Sequence, residues 1–395
     1  MTAVDTTADN ATAAGKLTAA ARDSVKTVIA ASMVGTAIEF YDFYAYGTAA
    51  ANYFPTVFFS DTTNPTVALL LSLVTFAVAF IARPVGSLIF GHFGDRLGRK
   101  KTLVVSLMTM GVATFLIGCL PSYEQVGLLA VVILCLCRFV QGIGLGGEWS
   151  GAALVATENA PENKRALYGS FPELGAPIGF FLSNGTFFLL EAFNDSEAMM
   201  TWGWRVPFLL SAVLVVVGLV VRVHMEETPI FRMAQERNEV VKAPVVEVFR
   251  KSWVQVLQAT FLVAVTYTLF YTLATWSLAW GTKPVGQGGG GLGFTNQEYL
   301  LMLMVAVCVF ALFIVLSCVY ADRIGRRRVL TFSSVALVVF AVAFPYLLMG
   351  EGKRDFVAVM VFLCVGYALM GTAFGPIGAF LPELFDANVR YTGSG

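Results

Sequence analysis

The chain has 395 residues, of which 57% are hydrophobic and only 13% are charged, and its formal net charge is zero. A soluble globular domain averages about 25% charged residues, so this composition excludes a protein whose whole surface faces water. The neutral balance gives no bias toward nucleic acid or acidic partners. The two histidines and six cysteines lack the spacing of metal or redox sites, so the sequence predicts no metal and no cofactor.

Residues 1–26, which precede the first long apolar stretch, are rich in Ala, Thr and Asp. No basic segment leads directly into a short apolar core, so the pattern is not that of a secretory signal peptide. A segment of this composition buries too little apolar surface to fold by itself. We therefore expect a disordered cytoplasmic tail.

Ten apolar stretches follow along the chain. A helix needs about 20 apolar residues to cross a bilayer, and unbroken apolarity of that length favours helices over barrel strands. The fold class is therefore predicted to be an all-α polytopic membrane protein. The predicted spans cover residues 28–54, 67–90, 103–120, 126–156, 166–190, 206–223, 254–280, 299–321, 329–349 and 356–381.

Basic residues are distributed unevenly between the two sets of segments that connect these spans. If the N-terminus is inside the cell, the inner segments hold twenty of the 26 Lys and Arg residues. The outer segments then hold four, which are Arg205, Lys283, Lys353 and Arg354. Because basic residues accumulate on the inner side, we predict a multi-pass protein with a cytoplasmic N-terminus.

The longest polar stretch between two spans divides the chain unequally. Pro229 and Pro244 interrupt this stretch, and we expect short surface helices there. The predicted organisation is a cytoplasmic tail (1–26), a six-helix bundle (27–224), a cytoplasmic linker (225–253) and a four-helix bundle (254–395).

A short string occurs twice, at equivalent positions of the two predicted halves. Residues 95–99 read Asp-Arg-Leu-Gly-Arg, and residues 322–326 read Asp-Arg-Ile-Gly-Arg. Paired halves are typical of transporters that work by alternating access. Aspartate can cap a helix or pair with arginine, so the repeated cluster is interpreted as a latch for one conformational state. The alternative is that its basic residues only follow the positive-inside rule.

The predicted latch contains glycines because glycine permits tight turns and close helix approach. Arg83 is expected to support Asp95, and Glu148 is expected to anchor the basic cluster. The full set is Gly91, Asp95, Arg96, Gly98, Arg99, Asp322, Arg323, Arg83 and Glu148.

Several segments carry a family resemblance. Gly91–Lys101 resembles the loop signature of the major facilitator superfamily. Its metabolite:proton symporter family has segments similar to Gly35–Gly47, Arg138–Trp149, Trp204–Phe208 and Pro382–Phe385. Members of that family carry shikimate, α-ketoglutarate, citrate and other carboxylates, or betaine and proline, together with protons. The resemblance implies a major facilitator fold and a proton-driven importer in a bacterial cytoplasmic membrane.

The sequence departs from the family pattern in two ways. The family has twelve spans, whereas ten are found here, so we expect a C-terminally truncated form, either a fragment or a shortened gene product, with an incomplete second bundle. In the second copy of the latch string, Cys318 replaces the glycine found at Gly91, so the loop geometry of the two copies is expected to differ.

Ionisable residues inside the predicted spans are expected to have a functional or structural role, because a charge at the bilayer centre costs roughly 3 kcal/mol or more. Glu39 and Asp42 share a face of the first span, and Arg138 and Gln141 share a face of the fourth. Our hypothesis is that Arg138 binds the carboxylate of the substrate while Glu39 or Asp42 carries the proton. The alternative is a set of fixed ion pairs that stabilise the bundle.

Polar aromatic residues complete the predicted substrate site. Tyr267 and Tyr271 form a stripe on the seventh span, one turn apart, and could hydrogen-bond an anion from the second half. Tyr41 and Asn184 are added from the first half. Ordinary packing or interfacial tyrosines are the alternative interpretation.

The leading hypothesis is therefore a monomeric secondary transporter, not an enzyme, that imports a small organic acid with protons. Uptake of an osmolyte or zwitterion is one alternative. A non-transporting relative is another. The sequence contains no metalloprotease, nucleophile-elbow or phosphate-loop motif in a suitable setting, so an intramembrane enzyme is not supported.

Overall fold

The computed structural model describes residues 5–224, 244–282, 285, 291–348, 355–386 and 389–395. Within these residues every regular element is a helix. The prediction of an all-α protein is therefore confirmed.

The first half of the chain contains six long helices and several short ones. Its α-helices are α1 (Asp5–Asn52), α2 (Phe54–Phe58), α3 (Pro65–Leu97), α4 (Arg99–Gly118), α5 (Tyr123–Val126), α6 (Leu128–Glu158), α7 (Arg165–Glu173), α8 (Gly175–Phe193), α9 (Ser196–Thr201) and α10 (Val206–Val223). Because α7 and α8 are nearly continuous, they form one membrane-length segment, Arg165–Phe193.

The second half begins with a short helix that starts at a proline. Its α-helices are α11 (Pro244–Lys251), α12 (Trp253–Tyr271), α13 (Ser277–Thr282), α14 (Asn296–Ile324), α15 (Arg326–Leu348), α16 (Phe356–Phe374), α17 (Ile377–Glu383) and α18 (Arg390–Ser394). A π-helical turn at Thr272–Trp276 joins α12 to α13, and such turns are frequent at functional sites.

Nine segments of the described chain are long and apolar enough to cross a membrane, and they correspond to predicted spans two to ten. The first predicted span, residues 28–54, lies largely in α1, which is not one of the nine. Its two acids and several tyrosines make it less apolar. Helix α1 nevertheless packs against α6, α8 and α10, so it belongs to the same bundle.

Helix α1 begins at Asp5, within the segment expected to be a disordered tail. The tail is rich in alanine and contains no proline, and alanine has the highest helix propensity. Of the predicted linker, residues 225–243 lie outside the described residues.

Glycines bring the helices of the first half into close contact. A Cβ atom at Gly146 of α6 would lie 2.3 Å from the carbonyl oxygen of Arg83 on α3. A Cβ atom at Gly179 of α8 would lie 2.6 Å from the backbone nitrogen of Tyr41 on α1. Only glycine permits these backbone approaches, which fix α1 and α3 around the centre of the bundle.

The two halves meet along α7 and α8 of the first and α14 and α17 of the second, and α18 packs against α3. Near the centre, the rings of Tyr44 and Phe270 from opposite halves are 5.7 Å apart. The interface therefore contains an aromatic core, and the polar residues of the candidate site lie beside it.

Candidate substrate site and conformational latches

A narrow cavity lies between the two halves at the level of Glu39. It leaves about 20 Å³, which is room for about one water molecule. A larger cavity of about 640 Å³ adjoins it and shares Arg83, Thr266, Tyr267, Tyr271 and Phe374 with it. These shared residues form the junction between the two cavities.

An ion pair forms the polar centre of the narrow cavity. Arg83 Nη2 lies 3.1 Å from Glu39 Oε1, and the side chain of Arg83 remains 25% exposed while Glu39 is only 2% exposed. The second oxygen of Glu39, Oε2, is buried with no hydrogen-bond partner among the described residues. The pair therefore offers one accessible cation and one unused carboxylate oxygen.

The prediction that Arg83 supports Asp95 is not what the structure shows. The two residues lie twelve positions apart on the same helix, which corresponds to about 18 Å along its axis. Arg83 instead pairs with Glu39 across the interface of α3 and α1. Helical rise alone could have excluded the predicted contact.

Two tyrosines from the second half, expected to line the cavity, lie beside this ion pair. Tyr267 lies next to Arg83, and Tyr271 lines both cavities. The buried hydroxyl of Tyr271 has no hydrogen-bond partner in the described part of the chain. Tyr271 is the last residue of α12 and directly precedes the π-helical turn.

Arg138 lies in a separate, fully buried network. Its Nη1 donates to Gln141, whose Nε2 donates to Thr114 at 2.7 Å. The Thr114 hydroxyl in turn lies 2.7 Å from Asp42 Oδ2. Arg138 and Asp42 are thus connected through two intermediate side chains, and neither lines the two central cavities.

Aromatic rings separate this network from the cavity. The Arg138 guanidinium lies 3.7 Å from the centre of the Tyr46 ring. Phe43, Phe76 and Phe80 pack on one another with centroid distances of 5.1 to 5.7 Å. Aromatic packing therefore encloses Arg138, the residue expected to bind the substrate carboxylate, in this conformation.

The other predicted substrate residues of the first half also lie outside the cavities. Tyr41 is buried, and its hydroxyl donates to the carbonyl oxygen of Pro207 at 3.0 Å. Asn184 donates to the carbonyl oxygen of Phe180. Sequence reasoning missed Tyr44 and Phe270, which line the narrow cavity. Their apolar surroundings made them indistinguishable from packing residues.

The first copy of the repeated string contacts the second half of the chain. Asp95 Oδ2 accepts hydrogen bonds from the backbone nitrogen and the hydroxyl of Thr392, at 3.0 and 2.8 Å. Asp95 therefore caps α18, and it also lies 3.4 Å from Arg99. A Cβ atom at Gly91 would lie 2.8 Å from Thr392 Cα, so this glycine allows α18 to approach α3.

The second copy makes the reciprocal contact. Asp322 accepts hydrogen bonds from the backbone nitrogens of Ala166 and Leu167, both at 2.9 Å, and thereby caps α7 of the first half. Gly98 and Gly325 both have positive φ, 107° and 96°, so Cys318 in place of a glycine does not alter the turn. Each aspartate thus connects one half to a helix N-terminus of the other.

The arginines of the string differ in their surroundings. Arg99 lies 3.6 Å from Glu158, and Arg326 lies 3.1 Å from Glu383. Arg96 is exposed and contacts His92, and Arg323 is also exposed. Each of the two glutamates precedes by seven residues the arginine that begins the capped helix, a repeated spacing that sequence reasoning missed.

The expected role of Glu148 is corrected by its contacts. Both terminal nitrogens of Arg222 contact Glu148, and Ser106 donates to Glu148 Oε2 at 3.2 Å. A Cβ atom at Gly35 would collide with the Arg222 guanidinium. Glu148 therefore connects α4, α6 and α10, whereas Glu158 is the acid that meets the basic cluster.

The bundle of membrane-length helices, the cavity between two halves and the reciprocal helix caps together define a membrane transporter. A family model for sugar (and other) transporters matches residues 27–270 and 290–395. The chain belongs to that family, whose members are transporters rather than enzymes.

Curated relatives agree with this assignment. The chain is 50% identical over 374 residues to the inner membrane metabolite transport protein YhjE of Escherichia coli, covering 94% of this chain and 83% of that protein. It is 35% identical to the E. coli shikimate transporter, with 92% and 81% covered. It is 31% identical to a proline/betaine transporter of Salmonella typhimurium, with 93% and 73% covered. The chain is therefore similar to metabolite transporters.

The fold is also that of a solved transporter. The proton:xylose symporter XylE of E. coli, a major facilitator protein solved with 6-bromo-6-deoxy-D-glucose, matches with a TM-score of 0.74 at 16% identity. The match covers 94% of this chain and 85% of XylE. The predicted major facilitator fold is thus confirmed.

Proposed function

We propose that this metabolite transporter imports a small organic acid together with a proton. The observation that carries the proposal is the Glu39–Arg83 pair at the narrow cavity, faced by Tyr267 and Tyr271 from the other half. A guanidinium and a tyrosine hydroxyl are suitable donors for a carboxylate. The partly exposed Arg83, rather than the enclosed Arg138, is the residue that an incoming anion would meet first.

Charge balance connects the anion to the proton. In the empty site, Glu39 and Arg83 neutralise each other. A substrate carboxylate that binds Arg83 leaves Glu39 as an uncompensated buried charge, which is costly. Binding of a proton to Glu39 restores neutrality, so the site carries no net charge whether it is empty or loaded. The halves can then rearrange around it without exposing an unpaired charge to the membrane interior.

Asp42 is a second candidate for the proton site. Its Oδ1 is buried without a hydrogen-bond partner among the described residues, while Oδ2 is held by Thr114. Glu39 is preferred because it lines the cavity and contacts the accessible arginine. In this assignment, Arg138 and Gln141 keep the first half rigid around the site.

The reciprocal caps support the proposed latch. They lie at the end of the bundle that carries most of the basic residues, called here the basic end, and we place that end and the N-terminus in the cytoplasm of a bacterial cell. Opening toward the cytoplasm would break the contacts of Asp95 and Asp322 with the opposite half. The six-helix and four-helix bundles would then move as units within a monomer.

A zwitterion such as betaine is the alternative substrate. Phe40, Phe43, Tyr44 and Phe270 line the narrow cavity beside Glu39, and aromatic faces with a carboxylate suit a quaternary ammonium group. Arg83 could meet the carboxylate of the same ligand. The aromatic lining therefore supports this second candidate.

Proton-linked uptake tests the proposal directly. The purified chain would be reconstituted in liposomes that contain a pH dye, and shikimate, a dicarboxylate, benzoate and betaine would be added in turn. Internal acidification on adding an organic acid, abolished in Glu39→Gln but retained in Glu197→Gln, is expected. Glu197 is an exposed acid outside the bundle centre and serves as a matched control.

Other outcomes discriminate the alternatives. Acidification with betaine alone would favour the zwitterion. Saturable binding without any flux would contradict transport by this chain. Uptake without acidification would support transport by this chain but contradict its coupling to a proton.

A further inference from the structure

Glu173 is a buried acid that the proposed transport site does not use. It ends α7 and is fully buried. Its Oε1 accepts a hydrogen bond from the indole nitrogen of Trp149 at 3.0 Å, while Oε2 has no hydrogen-bond partner among the described residues. In the same part of the chain, no lysine or arginine nitrogen forms an ion pair with this carboxyl group.

The carboxyl group lies where the two halves touch. A Cβ atom at Gly378 of α17 would stand 2.8 Å from Glu173 Oε1 and 2.5 Å from the carbonyl oxygen of Gly169. Helix α7 also begins at the residues capped by Asp322. A movement that separates α7 from α17 would therefore expose Glu173 to water and at the same time disturb the cap that Asp322 forms on α7.

The neighbouring elements offer no compensating charge. The titratable group nearest on α1 is Glu39, that on α12 is Tyr267 and that on α14 is Cys318. Helix α6 contributes Trp149. The acid of α17, Glu383, is engaged by Arg326. Arg83 of α3 and Arg326 of α15 lie beside these groups but pair with Glu39 and Glu383, so no cation of the described residues pairs with Glu173.

An ionised carboxylate in such surroundings is expensive, because it has lost its hydration without gaining a cation. A protonated carboxyl group keeps the bond from Trp149 and removes the charge. In a separated interface, water would solvate the ionised form at little cost. The closed and open arrangements therefore differ in their affinity for one proton, and any such difference couples protonation to the conformational equilibrium.

We propose that Glu173 is a proton-controlled positioning residue of the transport cycle. When its carboxyl group holds a proton, the halves stay closed at the basic end. When the proton is released to water, separation of α7 from α17 is favoured. Glu173 does not contact the transported molecule in this scheme, so the inference does not depend on the substrate or on Glu39.

Cys318 is a native reporter of this interface. It is fully buried and packs with Ala166 and Ala379 from the two facing helices. In a variant that keeps Cys318 while the other five cysteines are replaced by alanine, maleimide reacts only when the halves separate. The rate would be measured across a pH series in liposomes, with and without Glu173→Gln. The rate of the protein with Glu173 is divided by the rate of the Glu173→Gln variant at the same pH. This ratio cancels the pH dependence of the thiol itself.

The proposal predicts that this ratio rises with pH, approaching about tenfold per pH unit, the limit for release of one proton. Glu383→Gln is the control at the same interface and should keep the rise. A ratio that stays constant across the series would overturn the proposal.

A second variant covers the case in which Glu173→Gln does not fold. Trp149→Phe keeps the acid but removes the donor to Oε1, so the ionised closed state loses its one hydrogen bond. The labelling rate should then continue to rise to a higher pH than in the parent before it levels off, because the closed state holds its proton more tightly. Identical profiles for the two proteins would contradict the role of Glu173. Because no transported compound is added, loss of symport in the uptake assay would not affect this result.

Discussion

Two acid–arginine arrangements lie one helical turn apart in the first half, and they differ in what surrounds them. Glu39 contacts Arg83 directly, and the arginine is partly exposed to a cavity. Asp42 reaches Arg138 only through Thr114 and Gln141, and that arginine is completely buried against Tyr46. The first arrangement faces a cavity and can exchange partners, whereas the second is enclosed by packed side chains.

This contrast separates the two hypotheses that the sequence left open. Intramembrane charges were interpreted either as a working site or as fixed pairs, and the structure contains one region suited to each. A group that works on a ligand must be reachable by that ligand. By this criterion we propose the Glu39–Arg83 pair as the working site and the network of Asp42, Thr114, Gln141 and Arg138 as scaffold.

Removing the accessible cation should have the largest effect. Arg83→Gln leaves Glu39 buried without its partner and takes away the proposed anchor of the substrate carboxylate. Loss of one member of a buried pair costs about 3–5 kcal/mol, so we expect uptake efficiency to fall by about 100-fold or more. Initial uptake rates in liposomes at several substrate concentrations measure this. A variant within threefold of the parent would place the substrate elsewhere.

Removing the enclosed cation should act on stability instead. Arg138→Gln breaks the bond to Gln141 and the contact with Tyr46, and we expect the free energy of unfolding to fall by about 3 kcal/mol. The half-saturating substrate concentration of the folded fraction should change less than about threefold. Thermal unfolding in detergent and uptake by the same preparation give the two quantities. A large change in substrate affinity with unchanged stability would reverse the assignment of the two arginines.

The two acids should differ in coupling. Glu39→Gln is neutral permanently, so it should exchange substrate across the membrane but lose accumulation driven by a pH gradient, by about tenfold or more. Asp42→Asn should keep that accumulation, because Asp42 lies outside the cavity. Counterflow and gradient-driven uptake, measured side by side, separate exchange from coupling. If Asp42→Asn alone lost the coupling of uptake to the pH gradient, the proton-binding residue would be assigned to the buried network instead.

Much of the fold was predictable because the responsible signals are local. Apolarity of about 20 residues marks a membrane helix wherever it occurs, and the repeated strings at Asp95 and Asp322 could be compared letter by letter. The structure adds that both strings act reciprocally, each capping a helix of the opposite half. Neither string by itself predicts which helix its aspartate caps, because the capped residues are far away in sequence.

The site itself was less predictable, because it depends on how neighbouring helices are turned. Glu39 and Asp42 share a broad face of α1, but an offset of three residues rotates them by about 60° and separates them by about 4.5 Å along the axis. That difference directs Glu39 to α3 and Asp42 to α4. A helical face predicted from one sequence is too coarse to choose between two adjacent partner helices.

The smallest expected effects come from two tyrosines, one in each region. Tyr271→Phe removes a hydroxyl that faces the cavity without a partner, so we expect stability to remain unchanged and the half-saturating substrate concentration to rise by about fivefold, the loss of roughly one hydrogen bond. Tyr46→Phe removes a hydroxyl that bonds Thr75 at 2.7 Å in the scaffold, so we expect about 1 kcal/mol lower stability and unchanged affinity. Each substitution is the control for the other, since both delete one oxygen from a buried ring. If both variants altered affinity equally, the cavity and the network would function as one site, and the distinction between Arg83 and Arg138 would not hold.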